Sequence, residues 1–156
     1  MKLRFLWPRS AADADFGEAI DRYFNRIKHF FPAEITELPP ERGRQSSDDL
    51  AMMRGQSARL LAAMPDRGHV AVLDERGQPL DSLKFGRWLE RLTIDSPHGV
   101  TFVVGGDAGL DESVRKRADT LLSLSPMTLP HQLARVVLME QIYRACTLMR
   151  NIRYHK

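Results

Sequence analysis

The chain has 156 residues, 43% hydrophobic and 28% charged, enough for one globular core and too apolar for a disordered protein. Its 23 Lys and Arg against 20 Asp and Glu leave a formal charge of +3, which permits an anionic partner such as RNA without demanding one. One cysteine excludes an internal disulfide and a multi-cysteine zinc site, and no run nears the roughly 20 apolar residues needed to span a bilayer.

The opening Met1-Lys2-Leu3-Arg4 is charged too early for a secretory leader, so a cytoplasmic protein without a membrane partner is expected. Leu3 to Trp7 reads as a first strand. A helix from about Asp15 to Phe30 follows, with Phe16, Ile20, Tyr23, Phe24 and Ile27 on one face, and Pro32 stops it. Glu34 to Leu38 suits a second strand, and Pro39 to Gln45 a charged loop. Ser46 with Asp49 resembles a capping box ahead of the stripe Leu50, Met53, Leu60, Leu61 and Met64. His69 to Leu73 is a compact strand with a turn from Glu75 to Pro79 beyond it, and Ser82 is placed to cap a third helix.

Val100 to Val104 is a strand apolar enough to be covered on both faces, and it runs into Gly105-Gly106 before a helix near Asp111. Leu121 begins another short strand and a hydroxyl-rich loop through Pro130, whose Ser125 and Thr128 suit either ligand contact or helix capping. Alternating strands and helices with such linkers predict a single domain, residues 1–156, of α/β class with a parallel sheet. The final helix, His131 to about Arg150, is apolar on nearly every side. Such a helix needs cover on every side, and a homodimer is the simplest source of it. Glu140 and Arg144 are spaced to pair along it.

Chemistry-bearing signals gather in the last third. Glycines after a buried strand let backbone approach a ligand, although a tight turn explains Gly105 to Gly109 equally well; the spacing is neither GxGxxG nor a P-loop. The tail from Arg150 to Lys156 joins three cations, Tyr154 and His155, a composition suited to phosphate contact and base stacking or simply to a solvated end. His131 and His155 are candidate acid/base groups, while His29, His69 and His98 read as surface or loop residues. Cys146, among apolar neighbours, reads as buried and inert.

The strings FVVGGDAGL from Phe102, LSLSPMTLPHQLARVVLMEQIYRA from Leu122, the closing YHK, and VAVLDERGQPLDSLKF from Val70 resemble the ribosomal large subunit pseudouridine methyltransferase H family. That family belongs to the SPOUT superfamily of knotted methyltransferases, and the likeness in length and order covers the whole chain. The resemblance implies a SPOUT-type parallel sheet flanked by helices with a C-terminal trefoil knot, an exception to the unknotted rule. It implies a homodimer, S-adenosyl-L-methionine as methyl donor and no metal. The implied product is N3-methylpseudouridine at the 23S rRNA position named 1915, on the ribosome.

By the same resemblance, cofactor contacts fall on Leu73, Gly105, Leu124, Ser125, Pro126, Met127, Thr128 and Leu129. Arg144, Tyr154 and His155 take the catalytic roles, with His155 the first candidate for general base. The positive charges of Arg9, Arg150, Arg153 and Lys156, read from the residues themselves, are expected to supply RNA contacts. The tail and the cofactor site that it completes are expected to come from different subunits. Two positions depart from the family pattern: Arg153 stands where proline precedes Tyr-His, and Pro8-Arg9 where Gly-Lys follows the first strand. The alternatives left open are a SPOUT enzyme for another RNA, a non-catalytic ribosome-binding dimer, and a nucleotide-phosphate binder built on Gly105 to Gly109.

Overall fold

A computed structural model describes residues 1–9, 15–39 and 49–154. Five strands, β1 (Leu3–Pro8), β2 (Ala33–Leu38), β3 (His69–Pro79), β4 (Val100–Val103) and β5 (Thr120–Ser123), form one sheet in the order β2-β1-β4-β3-β5, and every pairing is parallel. Helices α1 (Gly17–Ile27), α2 (Asp49–Ala63), α3 (Ser82–Asp95), α4 (Glu112–Arg117) and α5 (His131–Met149) connect and cover the strands. The expected α/β class with a parallel sheet is what the chain forms.

Strand alternation divides the interior into two cores. Leu3, Phe5 and Trp7 of β1, Ala71 of β3, and Val100 and Phe102 of β4 pack with the buried residues of α1, α3 and α5. Leu6, Val70, Val72 and Val103 pack with Leu60 and Met64 of the α2 segment and Val114 of α4. Phe5 and Phe102 stack at 5.8 Å between adjacent strands. Trp7 is wholly buried and Trp88 half-buried against Phe85 and Phe102, so both indoles serve packing.

Several local details differ from the sequence expectations. β3 does not end at Leu73. Residues Asp74 to Gly77 bulge out, after which Gln78 and Pro79 pair again with Leu122 and Ser123 of β5. Gly77 permits this because a Cβ there would lie 2.6 Å from the backbone of Leu121 and Leu122. The α3 cap is Asp81, whose carboxylate accepts from Lys84 N at 2.7 Å; Ser82 instead donates to Gln141 Oε1 on α5. His69 is neither loop nor surface. It begins β3, with Nε2 2.9 Å from Thr120 Oγ1 and its ring edge-on to Trp88. Burial lowers its pKa, and Asp119 only partly offsets that. Ser46 of the expected capping box lies outside the described residues.

Helix α5 spans almost the expected range and lies against α1 and α3. Its apolar reading missed Arg135, which is completely buried, donates to the Pro8 carbonyl at 2.7 Å and sits 5.2 Å from the Trp7 ring centroid. A buried guanidinium is tolerated here because a carbonyl and an indole face replace its water. Leu133 and Val137 on the same helix stay half-buried and outside both cores.

Candidate active site

Strands β4, β3 and β5 are neighbours, so their C-terminal ends open onto one place. Ligands of parallel α/β sheets bind at that edge. A cavity of about 290 Å³ lies there. Leu73 from β3, Val104, Gly105 and Gly106 after β4, and Leu122 to Ser125 at the end of β5 contribute to its walls; Met127, Thr128, Leu129 and the first turn of α5 complete them.

Of the eight residues assigned to cofactor contact, Leu73, Gly105, Leu124, Ser125, Met127, Thr128 and Leu129 line this cavity. Pro126 is exposed and is not among the lining residues. The hydroxyl-rich loop holds its own shape: Ser123 Oγ donates to the Ser125 carbonyl at 3.1 Å, and Ser125 Oγ accepts from Met127 N at 2.9 Å. Neither Ser125 nor Thr128 caps α5, whose N-cap is Pro130 without a side-chain bond.

The glycine segment closes a tight turn, with Gly109 N donating to the Gly106 carbonyl at 3.0 Å and Gly109 at φ 78°. Gly106 packs closely, since a Cβ there would sit 2.8 Å from Gln56 Oε1 and 3.3 Å from Pro8 Cγ and would push the Gln56 side chain aside. The segment is the tight turn that the sequence allowed, and its Gly105, Gly106 and Gly109 also line the cavity. Asp107 in this turn reaches His131 Nδ1 at 3.0 Å, which ties the turn to the start of α5. The cavity offers leucine and valine walls for a flat ring, strand-end backbone for its polar edge, and hydroxyls and charged groups at the rim. That donor set fits an adenosine bearing a charged tail.

Sequence reasoning did not single out Asp74 and Arg115, which also line the cavity and pair at 2.6 Å. Burial would raise the Asp74 carboxyl, but the Arg76 N–H and the Arg115 guanidinium outweigh it and hold the pKa below its ordinary value. The signal available in the sequence was an acid directly after a buried strand.

Arg144 and Tyr154, two of the residues expected to act on RNA, lie at the far end of α5. Arg144 is more than three turns from His131, about 20 Å at a rise of about 1.5 Å per residue. Here Asn151 takes a left-handed conformation (φ 53°), its N–H bonding Leu148 O and the Ile152 N–H bonding Thr147 O. This is the double hydrogen bond of a Schellman stop, and it folds the tail back onto the helix.

Tyr154 thereby docks edge-on to Tyr143 at 4.8 Å, donates to Glu140 Oε1 at 3.2 Å and lies beneath the Arg144 guanidinium at 4.8 Å. Arg144 Nε bonds the same Glu140 oxygen at 3.0 Å, realising the expected pair. Burial, a hydrogen bond with Tyr23 and the Glu140 charge all push the Tyr154 hydroxyl pKa far up. The Glu140 bond raises that of Arg144. Arg150 and Arg153 are exposed beside this cluster, and Arg9 is exposed after β1 with Glu37 at 3.2 Å. His155 and Lys156 lie outside the described residues. Cys146 is buried, with its thiol pushed up to about 12 by desolvation, which makes it unreactive as expected.

Comparison with known proteins gives this arrangement its class. The family model described as "Predicted SPOUT methyltransferase" matches residues 1–155. A ribosomal RNA large subunit methyltransferase H from Gemmatimonas aurantiaca is 43% identical over 149 residues, covering 96% of this chain and 94% of that protein. One from Trichlorobacter lovleyi is 37% identical over 155 residues, covering 99% of each. The chain belongs to the SPOUT methyltransferases and, among them, to the ribosomal RNA large subunit methyltransferase H family. It is an enzyme of methyl transfer.

Solved structures agree on the fold at low sequence identity. A probable methyltransferase from Bordetella pertussis Tohama I superposes with a TM-score of 0.59 at 18% identity, over 92% of this chain and 95% of that one. A putative methyltransferase from Legionella pneumophila, determined with the cofactor SAM bound, gives 0.52 at 14% identity, over 93% of this chain and 66% of the other.

Proposed function

We propose that this protein transfers a methyl group from S-adenosyl-L-methionine to N3 of a pseudouridine in 23S rRNA, at the position named 1915. The observation that carries the reading is the convergence of seven assigned cofactor residues from three adjacent strand ends on one cavity. Relatives 37–43% identical over nearly the whole chain are named for a large-subunit rRNA methyltransferase, which supports the substrate class.

When bound, the cofactor supplies an electrophilic methyl group on a sulfonium. The chain's own task is positioning, which is worth several kcal/mol when the reacting atoms are held in line. The leucine walls and the Ser123 to Leu129 loop orient the donor. The target nitrogen is protonated at neutral pH and must lose its proton. Tyr154, with its raised pKa, acts as a hydrogen-bond donor and stacking surface, not as a base. Arg144 stays cationic and stabilises the anionic nucleobase. The proton acceptor we assign to His155, since an imidazole is the side chain that exchanges protons in the neutral range. Arg9, Arg150, Arg153 and Lys156 contact phosphates.

The site is composite in this proposal. Cavity and tail cluster lie at opposite ends of α5, so the tail of one subunit serves the cavity of another in a homodimer. The half-buried Leu133, Val136 and Val137 are the apolar surface that a second subunit would cover. The C-terminal trefoil knot belongs to the same reading, supported by membership of the SPOUT family. A cytoplasmic location follows from the ribosomal substrate; among the described residues no helix is long and apolar enough to cross a membrane.

The test is labelled methyl transfer to unmodified ribosomes, free 23S rRNA and transfer RNA, with the mark located by mass spectrometry. Incorporation at one pseudouridine of the ribosomal substrate is expected. Incorporation only into transfer RNA would overturn the substrate assignment, and none anywhere the enzyme assignment.

A further inference from the structure

One stretch of the cavity wall carries charge that the reading above does not use. Asp74 and Glu75 from β3 and Arg115 from α4 line it, and Arg115 is the only Lys or Arg among the described lining residues. Its Nε donates to Asp74 Oδ2 at 2.6 Å, between side chains 18% and 4% exposed. Asp74 is itself fixed, accepting from Arg76 N at 2.9 Å. A guanidinium presents five N–H donors in a rigid plane, and this contact uses only the Nε edge. The next carboxylate, on the exposed Glu112, is 4.0 Å from Nη1. A half-desolvated cation held in plane at a cavity wall, with terminal donors to spare, is suited to a ligand carboxylate.

We propose that Arg115 recognises the α-carboxylate of the cofactor's amino-acid portion, with Asp74 as the positioning residue that fixes the guanidinium. The proposal rests on the cavity being the S-adenosylmethionine site. That molecule carries one carboxylate and two cationic groups, an ammonium and a sulfonium. The wall carries the complement: one guanidinium and the two carboxylates of Asp74 and Glu75.

The experiment is calorimetric titration of the full chain with S-adenosylhomocysteine and with 5′-methylthioadenosine, which keeps the adenosine and thioether but lacks the amino-acid portion. Arg115→Met is expected to weaken S-adenosylhomocysteine at least about tenfold and methylthioadenosine by no more than about twofold. Arg115→Lys, which keeps the charge without the planar fork, is expected to fall between wild type and Met for the first ligand only. Equal losses for both ligands would assign Arg115 a purely structural role and overturn the proposal, as would undiminished S-adenosylhomocysteine binding in both variants. Wild-type protein that binds neither ligand would overturn the cofactor reading beneath it, a result distinct from either.

Discussion

The two ends of helix α5 do different work with different materials. At its start, glycines, serines and leucines at three strand ends and the loops beyond them line a cavity. At its finish, Glu140, Arg144, Tyr143 and Tyr154 make a cluster held by charge, ring contacts and a folded-back tail. The first end is positioned by the pairing of β4, β3 and β5. The second depends on one left-handed asparagine and one carboxylate. Cofactor affinity should therefore follow the first end, and turnover on RNA the second.

The largest effects belong to the cavity end. Gly77→Ala places a Cβ 2.6 Å from the Leu121–Leu122 backbone, where no side chain can move aside. Urea unfolding should show a loss of about 3 kcal/mol or more, together with loss of cofactor binding. In Gly105→Leu the new Cβ crowds the Leu110 side chain at 3.0 Å and meets backbone only at an ordinary 3.6 Å, at Gly109, so the fold should survive while the cavity fills. S-adenosylhomocysteine affinity should drop roughly 100-fold, the equivalent of about 3 kcal/mol of overpacking.

At the other end, Tyr154→Phe removes the hydrogen bond to Glu140. It should lower kcat on ribosomes about tenfold and leave cofactor affinity unchanged, in keeping with the worth of one hydrogen bond to a charged group. His155→Ala should abolish the rise of the single-turnover rate through neutral pH; an unaltered pH profile would remove it as the base.

The smallest effect is on stability against acid. The folded Asp74 pKa lies below its unfolded value, so its contribution is present above the ordinary carboxylate range and lost as pH falls through the folded value. Wild type should lose more stability than Asp74→Asn as pH falls below the ordinary carboxylate range. Equal acid sensitivity would show that the Arg115 pair contributes nothing.

How much of this was legible in the sequence follows the same division. The sheet, the five helices and the cavity loop were readable because apolar runs and glycines are local signals, and the string from Leu122 to Ala145 added their order. The β3 bulge was not, because Glu75 to Pro79 reads as a turn until β5 is seen to pair with Gln78. Arg135 was missed because its Trp7 and Pro8 partners come from the other end of the chain. The tail was seen as basic and aromatic, but its return onto Glu140 hangs on the backbone of Asn151, to which composition is blind.

The central claim is that the cavity of one subunit works with the tail of another, and complementation in mixed dimers tests it directly. Gly105→Leu and His155→Ala proteins, each strongly impaired alone at a cofactor concentration that just saturates wild type, are mixed, unfolded and refolded together, and assayed for methyl transfer to unmodified ribosomes. A site shared between subunits gives every mixed dimer one intact site, restoring about a quarter of wild-type activity per site under random pairing. A site built within a single subunit leaves both sites of the mixed dimer defective, and activity that stays at the level of the separate variants would contradict the account.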